Sequence, residues 1–563
     1  MSKLVDLNDA LRESIGAGSV VHLTTNSRAA TRAIQREFRN EELGLTLIMC
    51  RVGGGHAADL VASGLVRKVV AGSYGAMSRH HVGGFPQIGR TYSEGLVVFQ
   101  HWSLLTLTQR LRAAALGLGF AQTNSLVGST MAAENAGDFE LLASPFGNRL
   151  VEGIMSPLAP DVSIVHVQAA DEEGNAILIP PQEDGAWGAF ASRGGAIVTA
   201  EHIVSRDFIR RHSHLTQLPA RYVRSVCHVP YGAHPGRFGS PVLAELNSYS
   251  ADEEFDKEYF AVSRDPTALE QWMEQWVYGP STHDDFLALL GKQRLQALTT
   301  LSKAPSVSAK TPPPVPSEII VEASPDEVLM TLALREIQTL VSTMHYDILL
   351  VGVGLSEVPA TAAHYLLAKE GVDVPLAMGH GFFNFEPTPG HSEPDADATI
   401  MSTDASTIYG LILGGARRSG LAILGAAQID RHGNLNSTIV GGKLLTGSGG
   451  ANDAASVCDT IVVTRLNRRK CVPDVEYVTC PGNNVRALVT DRGVFRKNET
   501  TTRLELSAIV GQGKPFDEAV AEIAEECGWE MEVGANVQLV DPPTLDELTV
   551  IRWLMPERYQ SGS

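Results

Sequence analysis

"YDILLVGVGLSEVPATAAHYLLAKEGV", residues 346–372, sets the fold class. An apolar run of strand length ends in Gly352-x-Gly354, and an alanine-rich helical pattern follows it directly. The first half of the chain has the same grammar. "GSVVHLTT" (18–25), "LTLIMCRVGGG" (45–55) and "VRKVVAGSYG" (66–75) are apolar runs ending in glycine or small polar residues, and "SRAATRAIQREFRN" (27–40) reads as a helix between two of them. Continuous apolar runs mark strands buried on both faces, and their alternation with helices predicts parallel sheets with crossover helices. The expectation is therefore α/β: two similar open α/β domains.

The boundary between them is "SKAPSVSAKTPPPVPSE", residues 302–318, where proline and small polar residues predict an extended connector. This gives a first domain at 1–301, a linker at 302–318 and a second domain at 319–563. A further echo links the halves. "VSIVHVQAADEEGNAIL" (162–178) and "SGLAILGAAQIDRHGNLNST" (419–438) each carry an apolar strand, an aspartate, two polar residues and Gly-Asn. Asp-x-x-Gly-Asn is turn chemistry, because glycine and asparagine accept positive φ cheaply. Two copies at comparable places predict a duplicated fold.

At 563 residues, with 44% hydrophobic and 19% charged residues, the composition is that of an ordinary globular protein. A net charge of −19 argues against nucleic acid or an anionic membrane as the main partner. The start of the chain is polar and amphipathic, unlike a signal peptide, and no apolar run approaches the ~20 residues of a membrane span. Six scattered cysteines without a CxxC pair predict reduced thiols and a cytoplasmic location. No metal-spaced Cys/His set, P-loop lysine or HExxH occurs; His80-His81 and His212-x-His214 read as solvated or packing residues.

The chain resembles the family I CoA-transferases of the glutaconate CoA-transferase type, with α and β subunits fused head to tail. The resemblance rests on "RLRAAALGLGFAQTNSLVGS" (110–129), "HVQAADEEGNA" (166–176), "GAIVTAEHIV" (195–204) and "PYGAHP" (230–235) in the first half. In the second half it rests on "VGVGL" (351–355), "GAAQIDRHGNLNST" (425–438), "TGSGGAND" (446–453), "VTDRGVF" (489–495) and "PPTLDELTVIR" (542–552). It implies an active site in the cleft between the halves, an acyl-CoA substrate with no permanently bound cofactor, a cytosolic setting and a homo-oligomer. Relatives on the same scaffold hydrolyse a ring carbon–carbon bond or decarboxylate a CoA ester, so the fold does not fix the reaction.

A family transferase attacks the thioester with a glutamate that normally sits in an E-S-G or E-N-G word after the second strand of the β half. Here "AMGHGFFNFEP" (377–387) places Gly379-His380-Gly381 at that word, and glycine has no side chain to attack with. Glu386 is the nearest carboxylate, with Glu357 and Glu134 as lesser candidates. His380 offers acid–base chemistry instead, and His101 falls where ring-opening relatives carry a glutamate. Nominal CoA transfer thus competes with a CoA-ester hydrolase or C–C lyase, and with a non-catalytic acyl-CoA binder. Where the family often reads P-T-R-S, this chain has Gln122-Thr123-Asn124-Ser125; Asn124 cannot neutralise a carboxylate, which disfavours a dicarboxylic acyl group.

The predicted binding features are Gly352 and Gly354 at a helix start, Gly379 and Gly381, and an amide-lined loop of Ser448, Gly449, Gly450 and Asn452. Asn124, Ser125 and His56, in "RVGGGHAAD" (51–59), complete the expected pocket. The basic run "RLNRRKCVPD" (465–474) reads as a solvated surface or a contact for CoA phosphates.

Overall fold

The computed structural model describes residues 2–77, 82–144, 151–180, 182–302, 323–387, 399–511 and 514–555. His80, His81 and nearly all of the proline-rich stretch lie outside them. Two large sheets carry the fold. The first runs through seven parallel strands in the spatial order Val98–His101, Val66–Ser73, Leu45–Arg51, Val20–Leu23, Val162–Ala170, Ala196–Ile203 and Val223–His228. The second has a parallel centre ordered Leu376–Met378, Ile348–Val351, Gly420–Leu424, Asp459–Val463 and Val485–Val489, extended by antiparallel strands at both ends. Val162–Ala170 is buried at all nine positions and Gly420–Leu424 at all five, as their continuous apolar sequences demand.

The two sheets share one path. Each chain segment begins on a central strand (Val20–Leu23 or Ile348–Val351) and steps outward to one side (Leu45–Arg51 or Leu376–Met378). It then returns to the opposite flank (Val162–Ala170 or Gly420–Leu424). Strand order reverses at that central strand, and crevices at such points, beyond the carboxyl ends of the strands, are where open α/β sheets bind ligands.

The repeated turns match in atomic detail. Asp171 accepts from the amides of Glu173, Gly174 and Asn175, and Asn175 Nδ2 donates back to it; Asp430 accepts from the amides of His432 and Asn434, and Asn434 Nδ2 donates back to it. Gly174 (φ 103°) and Gly433 (φ 82°) sit in the left-handed region. A Cβ on either would press on a valine that starts the second strand over, Val223 at 2.8 Å or Val485 at 3.0 Å. The asparagine carbonyls then receive the amides of Ala220 (3.0 Å) and Gly482 (2.9 Å). The expected duplication is present.

The halves share a core. Trp102, Leu105 and Leu126 of the first pack in one cluster with Tyr409, Leu413 and Ala454 of the second. Arg110 covers the Trp102 ring at 4.1 Å. All six cysteines are free and buried. Among the described residues no helix is long and apolar enough to cross a membrane.

Candidate active site between the two halves

The turn at 379–381 joins Leu376–Met378 to the antiparallel strand Phe382–Phe385, closed by Gly381 N–H to Met378 O at 3.1 Å. Gly381 has φ 115° and lies flat on Thr403, whose amide donates to Gly381 O at 2.7 Å. Gly379 is glycine for a different reason. A Cβ there would fall inside the Tyr409 hydroxyl, and so would a Cβ on Gly450. The phenol therefore stands between two glycines, in the volume a side chain at 379 would need. Tyr409 belongs to a π-helical turn, Ser406–Leu413, a geometry frequent at functional sites. It is 4% exposed, and burial, then the charge of Asp453, hold its hydroxyl well above the usual tyrosine range. It is a neutral hydrogen-bond donor.

The loop at 446–453 is a docking element. Tyr74 N–H donates to Thr446 O (2.8 Å), Gly449 N–H to Gly72 O (2.8 Å) and Leu104 N–H to Gly449 O (3.2 Å). Asn452 bridges the halves by accepting from Leu126 N–H at 2.8 Å, while its Nδ2 donates to Thr479 O at 2.8 Å. Asp453 accepts from the Ser103 hydroxyl and from Leu105 N–H at 3.0 Å; burial pushes its carboxyl up to about 6. Ser448 Oγ is buried without a hydrogen-bond partner among the described residues. Of the amides expected to face a ligand, that of Gly449 is used here and that of Gly352 donates to Ile423 O at 3.0 Å. Both expectations are corrected: backbone pairing between parallel strands and between halves takes up those groups. Gly354 keeps the predicted tight turn, with φ 88° at the start of a short 3-10 segment.

His380 is 7% exposed, in the turn itself. His101 ends the edge strand of the first sheet, 5% exposed, with its ring edge-on to Tyr74 at 5.4 Å and to Tyr477 of the second half at 6.3 Å. Burial lowers its pKa to about 4, so its imidazole is neutral, and its buried Nδ1 has no hydrogen-bond partner among the described residues. Tyr477 donates to Glu134 at 2.6 Å, and burial raises the Glu134 carboxyl. Glu386 is corrected as a stand-in nucleophile. The intervening strand carries it roughly 13 Å from the turn at ~3.3 Å per residue, and it is exposed.

Asn124 and Ser125 line a cavity of about 180 Å³ with Tyr409 and Gly410 across the interface. His56 lies elsewhere, in a cavity of about 220 Å³ at the carboxyl ends of the first-half strands. The basic run is engaged within the protein: Arg465 pairs with Asp326 at 2.6 Å, Arg468 with Glu525 O at 2.6 Å and Lys470 with Thr464 Oγ1 at 3.0 Å. Tyr409 and the Ser103–Asp453 contact carried no local signal in the sequence, because the first acquires meaning only when distant parts of the second half fold together and the second only when the halves meet.

A family model described as Coenzyme A transferase matches residues 5–228 and 408–512. One of the two polypeptides of the glutaconate CoA-transferase of Acidaminococcus fermentans is 27% identical over 323 residues, 52% of this chain and 94% of that polypeptide. An uncharacterized protein of Archaeoglobus fulgidus is 32% identical over 285 residues, 49% of this chain; the chain spans 59% of that relative's length. The fold matches an acyl-CoA transferase of Escherichia coli O157:H7, solved as a thioester complex with CoA, with TM-score 0.66 and 15% identity, over 99% of this chain and 98% of that one.

Proposed function

We propose, for a chain that belongs to the Coenzyme A transferase family, that it processes an acyl-CoA thioester between its halves without a covalent glutamate, as a hydrolase or carbon–carbon lyase. The observation that carries this reading is the Tyr409 hydroxyl standing on Gly379. A carboxylate attached at 379 has no room, so the acyl-glutamyl route is closed at that position. The groups that remain suit proton transfer and oxyanion stabilisation. A neutral phenol donates a hydrogen bond to a carbonyl that gains negative charge, and His380 in the adjoining turn holds or moves the proton of an attacking water. The halves, divided at 302–318, then act as fused counterparts of separate subunits. Six free thiols suit a cytoplasmic setting.

A second reading, CoA transfer through Glu134, is favoured by that carboxylate's raised pKa and its bond to Tyr477 across the interface. The test is turnover of a panel of acyl-CoA esters with no acceptor acid present, read as free CoA for a hydrolase and as an altered acyl group still carried on CoA for a lyase. Turnover that falls at least tenfold in Tyr409→Phe and in His380→Ala, with the fold retained, is expected. Turnover that requires an added acid would contradict the hydrolase or lyase reading.

A further inference from the structure

A groove of about 820 Å³ opens on the first half toward the amino ends of its strands, away from the crevice. Its lining includes Glu41, Glu42 and the turn at 63–65, which lead into Leu45–Arg51 and Val66–Ser73. Three helices end against it: Arg28–Glu37, Gly55–Ala62 and Pro86–Ser93, whose trailing residues Arg39, Ser63 and Glu94 line the groove. The last carbonyls of a helix and its dipole carry partial negative charge, so three such ends at one space favour a cation.

The acids have the same sign. Glu41 pairs with Arg12 at 2.7 Å, and Glu274 pairs with Arg39. Glu42, Glu94 and Glu270 are exposed and form no ion pair among the described residues; against them stands one lining cation likewise without an ion pair there, Arg90. Asp59 turns this acidic rim into a built site. It belongs to the helix Gly55–Ala62, is 7% exposed, and stands between the groove and the cavity of about 220 Å³. Its Oδ1 accepts from Gln87 Nε2 at 2.7 Å and from the Tyr259 hydroxyl at 3.0 Å. Its Oδ2 has no hydrogen-bond partner among the described residues and is not closed off by its neighbours, so it is free to receive a donor. Burial pushes this carboxyl up to about 7, and a cation at Oδ2 would offset the cost of ionising it there. The floor between the acids is apolar, formed by Ala62, Leu65, Leu269 and Met273.

We propose that this groove binds a linear aliphatic polyamine, with one ammonium on Asp59 Oδ2 and the methylene chain along Leu269 and Met273. Its other ammonium groups lie among Glu94, Glu270 and the helix ends. Acids spread over separate elements, with methylene-sized apolar ground between them, suit several charges on one chain. They do not suit a metal ion, and no group of side chains able to hold one occurs among the described residues. The inference is independent of the acyl-CoA reading.

The experiment is calorimetric titration of the whole chain with spermidine. Octanediol is the neutral chain, and magnesium chloride controls for diffuse attraction to a protein of net charge −19. Spermidine should bind with one-to-one stoichiometry and at least tenfold more tightly than either control. Asp59→Asn, which keeps an oxygen for Gln87 and Tyr259, should weaken spermidine at least tenfold. If Asp59→Asn does not fold, Glu270→Gln alters only an exposed side chain and should weaken spermidine at least threefold. Asp207→Asn, on the helix Arg206–Arg211 outside the groove, should leave binding unchanged. Equal binding of octanediol, displacement of spermidine by magnesium at matched concentration, or unchanged affinity in the groove variants overturns the proposal. So does an equal loss in Asp207→Asn.

Discussion

The two halves follow one strand path and fill its crevice to different extents. In the first half, the glycines at 53–55 border a cavity with Arg32 and an uncapped helix start. In the second, Gly352 donates its amide to Ile423 O, and Gly379 and Gly450 enclose the Tyr409 hydroxyl. Both halves read as glycine-rich at the strand ends. In both the missing side chain leaves space for a tyrosine, Tyr259 against Gly55 and Tyr409 against Gly379, but in the first a cavity of about 220 Å³ stays open beside it. A glycine-rich strand end therefore marks close approach to something, and only the packing says to what.

The sharpest way to break the contrast is to put the family's glutamate back. Gly379→Glu forces a side chain into a rigid phenol and buries a charge, and should cost more than about 3 kcal/mol. Denaturant unfolding would register this as a large drop in midpoint, or as loss of the folded chain. A wild-type midpoint would show that Tyr409 moves aside freely. Acid should then separate the halves. His101 and His234, both in the first half, are buried with pKa values lowered to about 4 by burial. The unfolded chain takes up these protons near pH 6.5 and the folded one only near 4, so stability falls as pH drops through that window. By pH 5 the loss should be about 2 kcal/mol for each. Hydrogen exchange at pH 5 against pH 7 should show the first half losing protection before the second.

Asn452→Ala removes both hydrogen bonds that bridge Leu126 and Thr479 and leaves a buried amide unpaired, a cost of about 2 kcal/mol. A thermal melt checks it, and an early, separate transition would report loosened halves. The smallest effect tests the symmetry itself. Asn175→Ala and Asn434→Ala should each cost about 1 kcal/mol and match one another, because the two turns make the same bonds.

The fold was legible because its signals are local. Continuous apolar runs, the glycine turns that end them and the paired Asp-x-x-Gly-Asn words all act within a few residues. The bare position at Gly379 was legible too, through the family word it departs from. What fills that position was not: Tyr409 lies 30 residues further on, in the apolar stretch "STIYGLIL", with no local mark of its role. Ser448, Gly449 and Asn452 looked like a ligand loop because a docking loop and an anion loop need the same small, amide-rich residues. Arg32 lies in the helical stretch 27–40 without a local mark, and its lack of a carboxylate partner among the described residues exists only in three dimensions.

The central claim is that thioester chemistry proceeds here without an acyl-enzyme carboxylate. Borohydride or hydroxylamine trapping during acyl-CoA turnover, followed by peptide mass mapping, tests it most directly. The expected result is turnover of the acyl-CoA with every glutamate and aspartate unmodified. A stoichiometric adduct on any of them, Glu134 above all, would contradict it.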